Sequence, residues 1–194
     1  MNAILAERGI TDPTPPQKDA GPKIQQALNV LLVAPTGIGK TEAAILPIFD
    51  ALHQTGKRPG IRCLYITPLR ALNRDMMKRM KDLGTDLGIT VDVRHGDTSA
   101  YDRQRQSTHP PEVLITTPET LQVMFTGKRL AEHLKNVRCV IIDEIHELAD
   151  NERGAQMSVA LERLAAHAGE FQRIGLSATV GNEKEGARFL VGVK

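Results

Sequence analysis

Short apolar runs alternate with longer amphipathic stretches along the whole chain. Six runs rich in aliphatic and β-branched residues predict strands, at residues 29–34, 61–66, 89–93, 112–116, 137–142 and 172–177. Between them, apolar residues recur with the spacing of one helix face. Two such stripes are Leu72, Met76, Met80, Leu83 and Leu87, and Met157, Ala160, Leu161, Leu164 and Ala168.

This alternation of strands and helices predicts the fold class. Strands separated by helices are joined by right-handed crossovers, which give a parallel sheet with helices on both faces. Ligands of such sheets bind at the carboxyl ends of the strands. The proline-rich stretch at residues 12–17 predicts an extended lead-in to the first strand. We therefore expect an α/β fold with a mainly parallel central sheet.

Length and composition agree with one globular domain. At about 150 residues per domain, 194 residues favour a single domain over residues 1–194 and leave no room for a second full lobe. Hydrophobic residues make up 41% of the chain and charged residues 25%, which is typical of a protein with a packed core. Only six residues are aromatic, so the core is expected to be aliphatic. This composition argues against nucleic-acid sites built from rows of stacking aromatics.

The cysteines and the lengths of the apolar runs indicate the cellular compartment that we expect for this protein. Cys63 and Cys139 lie far apart in the sequence, each in an apolar run, and predict buried free thiols without a disulfide or a zinc site. No apolar run approaches the 18 or so residues of a membrane span, and no signal peptide is recognisable. We expect a cytoplasmic protein that has no membrane partner.

The charges are unevenly distributed. The net charge is +2, yet residues 57–81 hold eight Lys or Arg and one Asp. The remainder carries 17 basic and 22 acidic residues. A polyanion would be attracted to the basic segment, although an ordinary solvated helix face explains the same pattern.

The most specific motif is APTGIGKT at residues 34–41, which follows a predicted strand and opens a predicted helix. Its glycines let backbone N–H groups face phosphate oxygens, and the helix N-terminus adds a positive dipole end. Lys40 is expected to neutralise the β and γ phosphates of a nucleotide, and Thr41 to ligate Mg²⁺. The motif starts with Ala34 where the pattern has glycine. The predicted cofactor-binding residues are Pro35, Thr36, Gly37, Ile38, Gly39, Lys40 and Thr41.

A second motif, DEIH at residues 143–146, directly follows an apolar run and is expected at the carboxyl edge of the sheet. Asp143 is predicted to reach Mg²⁺ through a water, and Glu144 to polarise the attacking water. In isolation the two acids would equally suit a helix N-terminus, but beside a phosphate loop the catalytic interpretation is favoured. His146 alone is more typical of a structural histidine. It stays a candidate catalytic residue, with Lys40, Asp143 and Glu144.

These and three further segments occur in the order of helicase motifs I, Ia, Ib, II and III: APTGIGKT, TPLRALNRD at 67–75, TTPETL at 116–121, DEIHEL at 143–148 and SAT at 177–179. The chain therefore resembles the first RecA-like domain of a superfamily-two helicase of the DEAD/DEAH type. DEIHEL, HGDT at 95–98 and IGLSATVGN at 174–182 are most similar to the large helicase-related (Lhr) family. Helicases that feed the RNA exosome share much of this pattern and remain an alternative.

The resemblance implies a RecA-like P-loop three-layer sandwich that binds ATP and Mg²⁺. PTPPQ at residues 13–17 resembles the Q motif, so Gln17 is expected to bind adenine through a paired donor and acceptor contact. Ser177, Ala178 and Thr179 resemble the motif that couples nucleotide state to the nucleic-acid grip. The family places their strand between the phosphate-loop strand and the DEIH strand.

The resemblance also implies contacts with the sugar-phosphate backbone of single-stranded DNA or RNA. Such contacts carry no base information, so binding is expected to be independent of sequence. Arg70 is the best candidate cation, and the helix after it carries Arg74, Lys78 and Lys81 on its exposed stripe. The implied nucleic-acid-binding residues are Pro68, Arg70, Gly96, Asp97, Thr117, Pro118 and Glu119.

Two departures from the family pattern affect the expected activity. The upstream aromatic that accompanies the Q motif is missing, so Gln17 is expected to hold adenine weakly. Only 15 residues follow Thr179, too few for a second RecA-like lobe with its arginine fingers. Such arginines contribute about 10³–10⁵ in rate in related enzymes, so this chain is expected to bind nucleotide and hydrolyse it poorly.

Two other functions share part of this pattern. A stand-alone P-loop kinase or transporter ATPase would use Lys40, Thr41 and Asp143, but would have no role for TTPETL or SAT. A non-catalytic nucleotide-binding module would need the phosphate loop alone. ATP hydrolysis measured with and without nucleic acid distinguishes these functions from a helicase lobe.

Overall fold

The computed structural model describes residues 12–148, 152–178 and 183–191. Six strands lie in this part of the chain: β1 Val30–Val33, β2 Cys63–Ile66, β3 Val91–Arg94, β4 Val113–Thr116, β5 Cys139–Ile142 and β6 Gln172–Ser177. The helices are α1 Pro15–Gln25, α2 Lys40–Thr55, α3 Arg74–Asp86, α4 Ala100–Thr108, α5 Pro118–Met124, α6 Lys128–Leu134, α7 Ile145–Leu148, α8 Glu152–Ala168 and α9 Glu183–Val191, with a 3-10 helix at Leu69–Ala71. Among the described residues, no helix is long and apolar enough to cross a bilayer.

The six strands form one sheet in the order β1-β6-β5-β2-β4-β3, and every neighbouring pair is parallel. The predicted parallel α/β fold is therefore confirmed, and each predicted strand region overlaps an observed strand. β6 lies between β1 and β5, which is the position that the family resemblance implies.

Each face of the sheet buries its own apolar cluster, because successive strand residues point to opposite sides. Tyr65 and Ile141 pack on the face covered by α1, α2 and α3. Leu64 and Val140 pack on the other face, with side chains of α5 to α9. Met76, Met80, Leu83 and Leu87 of the first predicted stripe are buried in the first cluster, and Met157, Ala160, Leu161 and Leu164 of the second are buried in the other.

The proline-rich lead-in differs from the prediction, because helix α1 begins within it at Pro15. Thr14 is the N-cap, and Gln17 completes a capping box with it. Proline is favoured in the first turn of a helix, where no N–H partner is needed, so the two prolines support the start of α1 instead of an extended segment.

The two cysteines are free and buried, as predicted. The sheet brings them together, since Cys63 of β2 and Cys139 of β5 are register partners on neighbouring strands. A hydrogen bond between the two thiols and burial raise the pKa of Cys139 well above its ordinary value. Cys139 is therefore a protonated core residue at neutral pH.

Asp92 links the edge strand β3 to two helices. Its carboxylate accepts hydrogen bonds from Arg105 at 2.6 Å, Gln106 at 3.0 Å and Lys81 at 3.3 Å. Burial alone raises the pKa of Asp92, but hydrogen bonds from Gln106 and the Val93 N–H, together with the charges of Lys81 and Arg105, outweigh it and lower the pKa. The ionised carboxylate thus stabilises the packing of α3 and α4 on β3.

We expect Asp92→Asn to lower the free energy of unfolding by about 1–3 kcal/mol at neutral pH, because the amide presents a donor where the network needs acceptors. The pKa of Asp92 is lowered on folding, so its contribution is present above the ordinary value of 3.8 and is lost as the pH falls below it. Urea unfolding at neutral pH and at about pH 3 measures both effects.

The matched control is Asp82→Asn, which removes an exposed carboxylate 2.6 Å from Lys78. We expect this change to cost about 0.5 kcal/mol or less. Equal destabilisation by the two changes, or an Asp92 effect that does not shrink in acid, would contradict the assignment.

Candidate nucleotide and nucleic-acid site

Three neighbouring strands, β1, β6 and β5, deliver the nucleotide motifs to one edge of the sheet. The phosphate loop follows β1, Ser177 ends β6, and Asp143 follows β5. The strand hydrogen bonding continues into the motifs, because the Ala34 N–H donates to the Ser177 carbonyl at 3.0 Å and the Asp143 N–H to the Ile66 carbonyl at 2.8 Å. The backbone at the start of each motif is therefore fixed by the sheet.

The phosphate loop depends on two glycines with left-handed backbone angles, Gly37 at φ 81° and Gly39 at φ 85°. A Cβ atom on Gly37 would meet nothing within 4 Å, so the backbone there is open to a ligand. A Cβ atom on Gly39 would lie 2.9 Å from Nε2 of Gln17. Glycine is needed at position 39 because of its left-handed backbone angle, and the short distance shows that Gln17 of α1 lies against the loop.

Lys40 begins α2, and its side chain turns back over the loop. Nζ donates to the carbonyl oxygens of Ala34 at 2.5 Å and Pro35 at 2.8 Å. The residue is 8% exposed, so its positive charge is concentrated inside the loop. An anionic group entering the loop would therefore meet a buried ammonium and the N-terminus of α2 together.

Gln17 lies against the same loop from α1. Its Oε1 accepts a hydrogen bond from the Thr14 N–H at 3.1 Å, and its Nε2 faces Gly39. The side chain is thus fixed at one end by the helix cap, with its amide at the edge of the phosphate loop.

A cavity of about 730 Å³ brings most of the predicted nucleotide residues together. It extends from the phosphate loop into the groove between α2 and α3. The predicted residues that line it are Gln17, Thr36, Gly37, Ile38, Gly39, Lys40, Thr41, Asp143 and Glu144. Pro35, the remaining predicted residue of the loop, accepts a hydrogen bond from Lys40 through its carbonyl oxygen.

Asp143 and Glu144 both carry raised pKa values. Burial is the largest cause for Asp143, while hydrogen bonds from the Tyr65 hydroxyl and the Glu144 N–H partly oppose it. For Glu144, burial and the neighbouring Asp143 charge raise the pKa. Glu144 also has a left-handed backbone, with φ 52°. Both acidic residues line the cavity.

Tyr65 is a site residue that the sequence analysis missed. Its hydroxyl donates to Oδ2 of Asp143 at 2.5 Å, and the residue is completely buried. In the sequence it is one apolar residue of a strand. The strand register could have revealed it, since Tyr65 pairs with Ile141 and Asp143 follows two residues later on the same face.

His146 lies on α7 between the acidic motif and the end of β6. Its Nε2 is 3.5 Å from Oε2 of Glu144, and its Nδ1 is 3.3 Å from Oγ of Ser177. The Ala178 N–H points to the same Nδ1 at 3.5 Å. His146 thus connects two motifs, while Thr179 lies outside the described residues.

The other three strands, β2, β4 and β3, deliver the predicted nucleic-acid segments to the same edge. In the sheet register, Thr116 pairs with both Ile66 and Arg94, so these strands end side by side. Pro68 lies two residues after β2, and Arg70 lies in the 3-10 helix that follows. Gly96 and Asp97 follow β3, Thr117 is the N-cap of α5, and Pro118 and Glu119 form its first turn.

Much of the basic segment is engaged with acidic residues. Arg62 pairs with Glu112 at 3.3 Å and Arg79 with Glu42 at 2.8 Å. Lys78 and Lys81 of the predicted exposed stripe also contact carboxylates, Asp82 at 2.6 Å and Asp92 at 3.3 Å. The charge excess in the sequence therefore overstates the positive field that these residues offer to a polyanion.

Comparisons with known proteins place these motifs in a family. Residues 14–186 match the DEAD/DEAH box helicase family. The ATP-dependent helicase Lhr-Core of Methanothermobacter thermautotrophicus is 43% identical over 200 residues, covering 95% of this chain and 23% of that protein.

Solved structures give the same result. The helicase Lhr of Mycobacterium smegmatis, bound to ssDNA and AMP-PNP, superposes with a TM-score of 0.84 and 41% identity, over 97% of this chain and 26% of that one. The DUF1998 helicase MrfA, bound to DNA and AMPPNP, gives a TM-score of 0.84 and 25% identity over 98% of this chain and 27% of that one. The chain spans about a quarter of the length of each of these relatives.

The parallel sheet with helices on both faces is the RecA-like arrangement that the resemblance implies, and it matches the Lhr structure over nearly the whole chain. The family match includes the phosphate loop, the acidic motif and Ser177. The chain belongs to the DEAD/DEAH box helicase family and is similar, within it, to the Lhr-type helicases.

Proposed function

We propose that this chain is a single RecA-like lobe that binds ATP and Mg²⁺ in the cavity at the carboxyl edge of β1, β6 and β5. The observation that carries the proposal is the convergence of the phosphate loop, Lys40, Thr41, Asp143 and Glu144 on that one cavity. The chain also has two buried free thiols, Cys63 and Cys139, which suit a reducing compartment. We therefore place the lobe in the cytoplasm.

The residues present fit this ligand. Open backbone at Gly37, the buried ammonium of Lys40 and the N-terminus of α2 suit the phosphates. The Thr41 hydroxyl and the Asp143 carboxylate are oxygen donors of the type that Mg²⁺ prefers. When bound, Mg²⁺ neutralises charge on the β and γ phosphates.

Glu144 is the residue that we assign to activation of the attacking water. Its side chain is 24% exposed, which leaves it accessible to a water at the mouth of the cavity. Its raised pKa makes the carboxylate a stronger base than an exposed glutamate. In this assignment Lys40 would hold the phosphates, Gln17 would bind adenine, and Asp143 would hold the metal.

For the second half of the edge, we propose contacts with the backbone of a DNA or RNA single strand. Support comes from the adjacent ends of β2, β4 and β3, and from the relatives whose structures hold ssDNA or DNA with a nucleotide analogue. A second RecA-like lobe would complete the groove and supply the remaining catalytic groups. Joined to it, the lobe would use ATP hydrolysis to move along or unwind nucleic acid.

Communication between the acidic motif and the end of β6 is assigned to the contacts of His146. The imidazole lies within 3.5 Å of both Glu144 and the Ser177–Ala178 segment, so a change at the acidic motif is transmitted to the end of β6. We propose that Ser177, Ala178 and Thr179 couple nucleotide state to the grip on the strand.

Lys40→Ala is expected to weaken ATP and ADP binding by at least about 100-fold, because it removes the buried cation inside the phosphate loop. Isothermal titration calorimetry measures the affinity, and circular dichroism checks that the fold is retained. The control is Lys57→Ala, an exposed lysine near the opposite edge of the sheet. Unchanged affinity in folded Lys40→Ala would remove the phosphate-loop assignment.

Glu144→Gln is expected to keep Mg²⁺-ATP binding and to lower turnover by about 10²–10⁴-fold, since the amide cannot accept the proton of water. The rate is measured with this lobe joined to its second lobe, in the presence of nucleic acid. Glu132→Gln, an exposed carboxylate on α6, is the control. A variant that hydrolyses ATP at the parental rate would exclude Glu144 as the base.

Arg70→Ala is expected to weaken binding of single strands and to make its salt dependence shallower, by about 0.7 in the slope of log affinity against log salt for each phosphate that is no longer neutralised. ATP affinity should stay unchanged. Fluorescence anisotropy with unrelated oligonucleotides across a salt series measures the slope. Arg58→Ala is the matched control, because Arg58 is an exposed arginine that precedes β2 instead of following it. A salt-insensitive interaction, or binding limited to one sequence, would contradict backbone recognition.

A further inference from the structure

The hydroxyl of Tyr65 contacts one of the two side chains assigned to Mg²⁺. It donates to Oδ2 of Asp143 at 2.5 Å. Tyr65 comes from β2, whereas Asp143 follows β5 and lines the cavity. The phenol therefore connects two neighbouring strands at a carboxylate of the candidate site.

The direction of this hydrogen bond follows from the chemistry of its two groups. A carboxylate only accepts, so the single phenol proton is directed to Oδ2 of Asp143.

Both carboxylate oxygens of Asp143 are held in this arrangement. Oδ2 accepts from Tyr65, and Oδ1 accepts from the Glu144 N–H at 2.9 Å. Tyr65 is completely buried and Asp143 is 8% exposed, so water does not compete strongly for the bond between them. The orientation of the carboxylate is therefore set by protein groups.

We propose that Tyr65 is a positioning residue that orients Asp143 for Mg²⁺, an inference that rests on the proposed ATP site. Partners of metal ligands fix the ligand orientation, and their removal typically lowers metal affinity about 10–100-fold. Tyr65 is completely buried and does not line the cavity, so its effect is expected to be confined to the metal-dependent part of binding.

The test uses Tyr65→Phe, with ADP as the nucleotide. Calorimetry with Mg²⁺ and with EDTA separates the metal-dependent affinity from the metal-free affinity. We expect Tyr65→Phe to bind ADP normally in EDTA and to reduce about tenfold or more the increase in affinity that Mg²⁺ gives the parent. A purely structural role would lower both affinities together or neither.

The control is Tyr101→Phe, because Tyr101 is the other tyrosine of the chain and is 77% exposed on α4. It is expected to bind ADP like the parent under both conditions.

A double-mutant cycle with Asp143→Asn adds a second check, since Tyr65→Phe should have little further effect once the carboxylate is gone. Additive effects of the two changes would overturn the positioning role.

Tyr101→Phe also leaves Tyr65 as the sole tyrosine in a chain without tryptophan, so its fluorescence reports the phenol directly. We expect Mg²⁺-ADP to change this fluorescence more than ADP in EDTA does, and equal spectra would contradict the proposal. This readout decides the question even if Tyr65→Phe fails to fold. No ADP binding by the parent would reject the proposed function, whereas Mg²⁺-dependent binding that Tyr65→Phe leaves unchanged would reject only this inference.

Discussion

Parallel pairing of all six strands is the constraint on which the rest of this structure depends. Because every neighbouring pair is parallel, all six carboxyl ends meet at one edge, and the segment after each strand emerges beside the segment after its neighbour. The contact between β5 and β2 joins the two halves of that edge, with the Asp143 N–H bound to the Ile66 carbonyl. Without this pairing, the nucleotide motifs would be separated from the segments assigned to nucleic acid.

Local motifs were predictable because strand, loop and helix are consecutive in the chain. The phosphate loop and DEIH are each recognisable together with the apolar run that precedes them in the sequence. The structure places both motifs where a strand ends. Strand order is set by contacts between distant segments, and for this reason the sequence pattern alone did not reveal that Tyr65 reaches Asp143 or that Cys63 faces Cys139. Only the family resemblance supplied any part of the order, namely the position of β6.

The basic segment and the proline-rich segment also show what could not be predicted from the sequence pattern. The basic segment left two interpretations open, a surface for a polyanion and a solvated helix face. Neither included its partners Glu42, Asp92 and Glu112, which come from other parts of the chain and cannot be paired with it by spacing. The prolines after Thr14 were interpreted as an extended lead-in, although proline suits the first turn of a helix equally well. The capping box of Thr14 and Gln17 was the signal that distinguishes the two.

The left-handed backbone of Glu144 has a consequence for the evolution of this lobe. An L-residue in that conformation costs about 1–2 kcal/mol relative to glycine, which adopts it without a steric clash. Glycine at this position would therefore favour folding while removing the carboxylate. With the proposed role of Glu144 as the base, the chain exchanges stability for chemistry at this residue, and sequences selected only for heat resistance should drift away from it.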